Sequence, residues 1–171
     1  ADDAGRAFVV TGTDSGTLVV KITGAGWSNI ENLTGGTGAD TFTINSGATL
    51  TGVVTGGLGN DTLIQIDGTN TWDVTGADAG DVTDIGSFTG VESLTGGTGD
   101  DTFNVASGAT LTGIVDGGAG NNTLTQADGA NAWDITGANS GDVTDIGSFT
   151  SIQNVTGGSG ADTFTFGTTG S

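Results

Sequence analysis

Seven side chains with oxygen-bearing tips fall at a near-constant step along the chain: Asp40, Asp61, Asp81, Asp101, Asn122, Asp142 and Asp162. The intervals are 21, 20, 20, 21, 20 and 20 residues. A fixed step of that size marks a repeat architecture in which each step is one stacked unit. Stacking would place six carboxylates and one amide in a row. Carboxylates about 4.8 Å apart repel by roughly a kcal/mol or more per pair in partly buried surroundings. Such a row must take up protons, spread apart or bind metal. Hard oxygen ligands in an irregular arrangement suit Ca²⁺ better than Mg²⁺, which demands near-octahedral geometry.

Five of the seven sit in one frame, Gly-Gly-x-Gly-x-Asp-Thr-(Phe/Leu), at 35–42, 56–63, 96–103, 117–124 and 157–164, with Asn122 in the Asp position of the fourth. The glycines at positions one, two and four are expected to turn with positive φ and expose main-chain carbonyls. The candidate metal-site glycines are Gly36, Gly38, Gly57, Gly59, Gly97, Gly99, Gly118 and Gly120. The Asp supplies a carboxylate, and the Phe or Leu two residues later anchors a strand in the core. Asp40 and Asp61, both in intact frames, form the leading candidate site. Asp101 with Asn122 carries one charge less. Asp81 and Asp142, in the variant frames Gly76-Ala-Asp-Ala-Gly-Asp81 and Gly137-Ala-Asn-Ser-Gly-Asp142, are placed to bridge to Asp101 and Asp162. A competing reading needs no metal: these Asp residues simply form turns, capping their own backbone amides.

Extended by one residue, the frame resembles the calcium-binding nonapeptide of the repeats-in-toxin family, G-G-x-G-x-D-x-U-x with U apolar. Gly35–Thr43, Gly56–Ile64, Gly96–Asn104 and Gly157–Thr165 match every fixed position, and Gly117–Thr125 matches all but the Asp. The resemblance implies that turn carbonyls and Asp side chains of neighbouring repeats sandwich Ca²⁺. In that family the nonapeptides run in tandem, whereas here each stands alone in a longer coil. The whole pattern looks closer to giant bacterial surface proteins, adhesins and fibrous exoproteins, which implies an extracellular or cell-surface location.

Composition narrows the partners. Two basic residues stand against 20 acidic ones, for a formal charge of -18. Nothing here could neutralise nucleic-acid phosphates, and an anionic membrane surface is disfavoured for the same reason. Divalent cations are the natural partners. No apolar run is long enough to insert in a membrane as a helix, and no signal peptide is visible. Cysteine is absent, so no disulfide or thiolate metal site can form. Methionine is absent even at residue 1, as expected of a processed product or an excised segment.

The elements that must position these residues are short strands. A unit of 61 residues repeats: 33–93 and 94–154 agree at about two thirds of positions without a gap. Residues 1–32 form a partial N-terminal repeat, with an irregular bulge or cap expected over Lys21–Trp27. Residues 155–171 begin a third copy. Each unit divides into three coils of about 20 residues, rich in β-branched residues and punctuated by Gly, Asn and Asp turns. No 3.6-residue apolar period occurs, so no helix is expected. The expected fold is all-β: one continuous parallel β-helix, or β-solenoid.

Positions that stay apolar between units should face the core: Phe42/Phe103, Ile44/Val105, Leu63/Leu124, Trp72/Trp133, Val74/Ile135, Phe88/Phe149 and Val91/Ile152. Positions that drift should face out, as Thr43/Asn104, Ile64/Thr125, Ile66/Ala127 and Thr71/Ala132 do. Gln65 and Gln126 fall on the inward parity, either as a buried amide ladder or at a bulge. Trp27, Trp72 and Trp133 could stack sugars, but the parity of the last two favours packing.

An enzyme is not expected. His, Cys and Tyr are absent, and Arg6 and Lys21 lie outside the complete units. Acid–base work needs a perturbed group with suitable neighbours, and carboxylate pairs such as Asp81 and Asp84 recur with every unit, as architecture does. The expected function is structural: a calcium-stabilised segment of an extracellular fibre, matrix or adhesin stalk. The phase-matched ends, Ala1 to Gly12 and Phe164 to Phe166, suit head-to-tail stacking of the chain on itself, or equally an excised stretch of a longer solenoid. The alternative is ice or surface binding through an outward rank of Thr41, Thr62, Thr102, Thr123 and Thr163, although the third coils interrupt both this rank and its neighbour with Val82 and Asp84.

Overall fold

The computed structural model describes residues 5–19 and 26–167. Residues 21–25 of the expected bulge, and residues 1–4 of the expected docking segment, lie outside them. Nineteen strands and no helix are found among the described residues, so no helix there could cross a membrane. The first three are β1 Ala7–Gly12, β2 Ser15–Val19 and β3 Gly26–Ser28. The first 61-residue unit supplies β4 Leu33–Gly36, β5 Thr41–Ile44, β6 Leu50–Gly57, β7 Thr62–Gln65, β8 Thr71–Gly76, β9 Ala79–Val82 and β10 Ile85–Thr89. The second supplies β11 Ser93–Thr95, β12 Thr102–Val105, β13 Leu111–Asp116, β14 Thr123–Gln126, β15 Ala132–Gly137, β16 Ser140–Val143 and β17 Ile146–Thr150. β18 Asn154–Thr156 and β19 Thr163–Phe166 follow.

The strands build two sheets. The long one has eleven, ordered β19-β15-β16-β17-β13-β11-β7-β5-β1-β2-β3, and the short one eight, ordered β18-β14-β12-β8-β9-β10-β6-β4. Successive strands mostly alternate between sheets and pair in parallel within each. Phe42 lies beside Leu63, Leu63 beside Leu94, and Phe103 beside Leu124. The alternation of Thr41-Phe-Thr-Ile44 puts Phe42 and Ile44 between the sheets, fully buried, and leaves both Thr half-buried on the outer side.

The third coil of each unit is not a coil. β8, β9 and β10 form an antiparallel meander within the short sheet, and β15, β16 and β17 form its counterpart in the long sheet. The turns are tight because Asp78, Asp84, Asn139 and Asp145 adopt left-handed backbone angles, which Asp and Asn tolerate better than most residues. β1, β2 and β3 fold the same way, so Gly26–Ser28 is a paired strand and the outermost member of the long sheet. The parallel β-helix of three coils per unit is thus corrected to a two-sheet structure of mixed pairing.

One consequence governs the acidic residues. Within a unit the chain changes sheet at β4–β5, β5–β6, β6–β7, β7–β8 and β10–β11, an odd number of times. A step of 61 residues therefore moves every element to the opposite sheet: β5 lies in the long sheet and its equivalent β12 in the short one.

The inward assignments hold. Phe42, Phe103, Ile44, Val105, Leu63, Leu124, Trp72, Trp133, Val74, Phe88, Phe149, Val91 and Ile152 are buried, and Ile135 is partly so. Gln65 and Gln126, also buried, form neither a ladder nor a bulge. Gln65 pairs in register with Ile44 and donates its side-chain amide to the Thr83 carbonyl. Gln126 does the same to Thr144. Each glutamine ties its own sheet to the meander turn of the other.

Candidate calcium site

The seven residues do not form one row. Asp40 and Asp61 immediately precede β5 and β7 of the long sheet, and Asp101 and Asn122 precede β12 and β14 of the short one. All four are buried. Asp162, which precedes β19, is half-buried beside β15. Asp81 and Asp142 are exposed on the middle strands of the meanders, paired opposite Asp73 and Asp134. They bridge to neither Asp101 nor Asp162, because a chain that doubles back cannot keep the 20-residue beat.

Each column is held by the same contact, a side-chain oxygen accepting the main-chain N–H of the rung beside it. In the long sheet the Arg6 N–H donates to Asp40 Oδ1, the Asp40 N–H to Asp61 Oδ1 at 2.7 Å, and the Asp61 N–H to Glu92 Oε2 at 2.6 Å. In the short sheet the Asn70 N–H donates to Asp101 Oδ1 at 2.8 Å, the Asp101 N–H to Asn122 Oδ1 at 2.9 Å, and the Asn122 N–H to Gln153 Oε1 at 2.6 Å. A third stretch repeats it, with the Asn131 N–H donating to Asp162 Oδ1 at 3.1 Å. The reading in which these Asp residues cap their own backbone amides is corrected: each Oδ1 accepts an amide of the neighbouring rung, because stacking brings that N–H against the turn.

Oδ2 is another matter. Asp40 Oδ2, Asp61 Oδ2 and Asp101 Oδ2 are buried without a hydrogen-bond partner. Each presses against the first glycine of its own motif. A Cβ on Gly35, Gly56 or Gly96 would collide with the carboxylate of Asp40, Asp61 or Asp101, and also with a carbonyl oxygen, that of Gly56, Gly90 or Gly117 respectively. The first glycine is therefore required by close approach, and its φ lies outside the left-handed range, contrary to expectation. Positive φ belongs to the second position at Gly36, Gly57, Gly97 and Gly118, and to the fourth at Gly59, Gly99 and Gly120. Gly38 does not share it.

Burial pushes the carboxyls of Asp61 and Asp101 above the ordinary carboxylate range. For Asp61 the Asp40 N–H works against this shift, while the charges of Glu92 and Asp40 add to it. For Asp101 the main-chain and side-chain N–H groups of Asn70 oppose it, and Asp100 adds to it. Asn70 and Asn131 were not singled out from the sequence, nor were Glu92 and Gln153. All recur at the 61-residue step, and that periodicity was the signal that could have found them. Asn70 donates to Asp101 Oδ1 at 2.9 Å and to the Gly96 carbonyl at 3.3 Å, and Asn131 donates to the Gly157 carbonyl at 2.9 Å.

An all-β repeat protein whose turns bury unpartnered carboxylate oxygens among main-chain carbonyls is built to meet a cation. The family model of the RTX calcium-binding nonapeptide repeat matches four copies in this chain, over residues 53–64, 88–109 and 114–131, which takes in the turns of Asp61, Asp101 and Asn122, while those of Asp40 and Asp162 lie outside the match. No curated protein and no solved structure matches the chain. Repeats of this kind bind Ca²⁺, and the residues present fit it. The unpartnered atoms at these turns are carboxylate oxygens, as a hard cation requires; the other buried atoms without a partner are the indole Nε1 of Trp27, Trp72 and Trp133. Among the described residues no three acidic side chains gather around one point, so an ion here would draw on Asp carboxylates together with main-chain carbonyls. Calcium would supply positive charge to the turns of Asp61 and Asp101, whereas at the first turn the Arg6 guanidinium already lies against Gly36.

The outward Thr rank is divided by the same sheet switch. Thr41 and Thr62 are neighbours in the long sheet, whereas Thr102 and Thr123 are neighbours in the short sheet, where Thr71 joins them.

Proposed function

We propose that this chain is a non-catalytic, calcium-stabilised β-repeat segment of a bacterial extracellular fibre, matrix or adhesin stalk. The observation that carries the reading is the buried, unpartnered Oδ2 of Asp40 and Asp61 in one column. A buried charge without a counter-charge is costly, and calcium in an extracellular medium removes that cost. Folding and ion binding are then coupled, since the unfolded chain has no preformed site. The acidic composition and the calcium repeats support a secreted setting, and the recurrence of the same carboxylates at every unit supports a structural role over catalysis.

Self-association is part of the proposal. Among the described residues no strand covers the outer side of β19, and Phe164 is 42% and Phe166 72% exposed. A long apolar edge is a template for another strand, and a second copy of this chain is the occupant proposed. The deciding experiment is far-UV circular dichroism with a thermal melt in millimolar CaCl₂ and in excess EGTA, with negative-stain microscopy of both samples. Loss of β signal or melting point on chelation, restored by Ca²⁺, supports the reading. Superimposable melts would overturn it.

A further inference from the structure

The two 61-residue units answer the same electrostatic problem differently. Asp61 and Glu92 in the first unit correspond to Asn122 and Gln153 in the second, and the geometry around them is the same. In the second unit the Asn122 Nδ2 donates to the Ser151 carbonyl at 3.0 Å. A Cβ on Gly117 would meet both groups. In the first unit the position of Ser151 is taken by Gly90, and a Cβ on Gly56 would meet the Gly90 carbonyl oxygen and Asp61 Oδ2. Where the second unit sets a donor against an acceptor, the first sets two acceptors side by side, one of them a carboxylate oxygen of a residue with no exposed surface. Two acceptors so placed need an electropositive group shared between them.

We infer that the slot formed by Asp61 Oδ2 and the Gly90 carbonyl is a divalent-cation site of the first unit alone, and that the Asn122 side-chain amide has replaced the ion in the second. The inference rests on the calcium reading above and sharpens it: this slot takes an ion in the first unit and an amide in the second, so the ions are distributed unevenly along the chain, while the unpartnered Asp101 Oδ2 beside the Gly117 carbonyl keeps a separate two-acceptor slot in the second unit. Asp40, whose Oδ2 lies beside the Gly56 carbonyl in the same column, and Glu92 raise the negative potential at the slot. In the other column the single acid Asp101 is flanked by Asn70 and Asn122.

The test is a reciprocal swap in the full chain. Asp61→Asn should bind one fewer Ca²⁺ per chain by isothermal titration calorimetry and melt higher than wild type in EGTA. Asn122→Asp should bind one more and melt lower in EGTA. Asp84→Asn removes the same charge from an exposed left-handed turn position, where Asn is tolerated, and should leave the stoichiometry unchanged. If both swaps shift the EGTA melts as stated with stoichiometry constant, the occupant is a proton and the inference is overturned. If wild type binds calcium and neither swap alters stoichiometry or EGTA melting, the assignment fails while the calcium reading stands. If wild type binds none, both fail.

Discussion

Trp72 stacks on Phe103 with ring centroids 5.5 Å apart and planes 13° from parallel. The two residues are in register on β8 and β12 and are fully buried. This pair joins the first strand of the first unit's meander to the second strand of the second unit, so it locks the register at the point where equivalent elements change sheets. Trp72→Ala should destabilise the chain by about 3–5 kcal/mol, read as a lower urea midpoint. A loss under about 1 kcal/mol would mean that the stack is not a core contact.

The glycines separate close approach from backbone conformation. Gly47 has φ +70 with open space around it, whereas Gly56 has no left-handed φ and no room. Gly47→Ala should cost about 1–2 kcal/mol, the penalty of a left-handed L-residue. Gly56→Ala should cost more, because its Cβ would displace the Gly90 carbonyl and the Asp61 carboxylate together. Urea midpoints of the two variants rank these effects, and the reverse order would refute the cradle.

The frame glycines and the apolar parity made the buried face legible from the sequence: Phe42, Ile44, Trp72 and Phe88 lie where alternation puts them. The sheet switch was not legible. Asp81 and Asp142 keep the numerical beat of the row, yet beat records contour length and not direction. The direction is set by Asp78 and Asp84, two left-handed residues that close tight hairpins within one sheet. Gly80 belongs to that reversal, since a Cβ there would meet the Asp73 carbonyl oxygen and the Phe88 ring. Split columns, divided Thr ranks and the cross-sheet role of Gln65 all follow from that reversal.

The buried carboxyls give stability a definite pH dependence in the absence of calcium. Asp61 and Asp101 have raised pKa values in the folded chain, so it holds their protons more tightly than the unfolded chain. Their contribution is complete below the ordinary carboxylate value and is lost as pH rises through the raised folded values. Asp128, lowered by the Ser159 hydroxyl and then its N–H, works oppositely: its contribution is present above the ordinary value and is lost as pH falls through its lowered one. In EGTA the melting point should fall as pH rises above the ordinary carboxylate value and through the raised folded values, and Asp101→Asn should flatten part of that slope. An upward slope, unchanged by the substitution, would contradict the burial argument.

Gln65 offers a test of the tie between sheets. Its amide reaches the Thr83 carbonyl in the β9–β10 turn, and that turn is also held by the Thr83 N–H donating to the Thr71 carbonyl at 3.1 Å. Gln65→Leu keeps the apolar stem and removes the donor, so it should cost about 1–3 kcal/mol through the unsatisfied carbonyl. Hydrogen exchange should quicken in β9 and β10 before it does in β5. Uniform exchange across both sheets would assign Gln65 to packing alone.

Asp81 distinguishes a single acid row from a meander most directly. It lies opposite Asp73 on antiparallel strands, and Asp73 Oδ1 already accepts the side-chain amide of Asn104 at 2.8 Å. Like charges directly opposite each other destabilise a strand pair by a few tenths to about 1 kcal/mol. Asp81→Asn should therefore raise the melting point slightly, in calcium and in EGTA alike, and leave calcium stoichiometry unchanged. In a continuous row the same substitution would remove a ligand and lower the melting point only when calcium is present, which is the outcome that would restore the row.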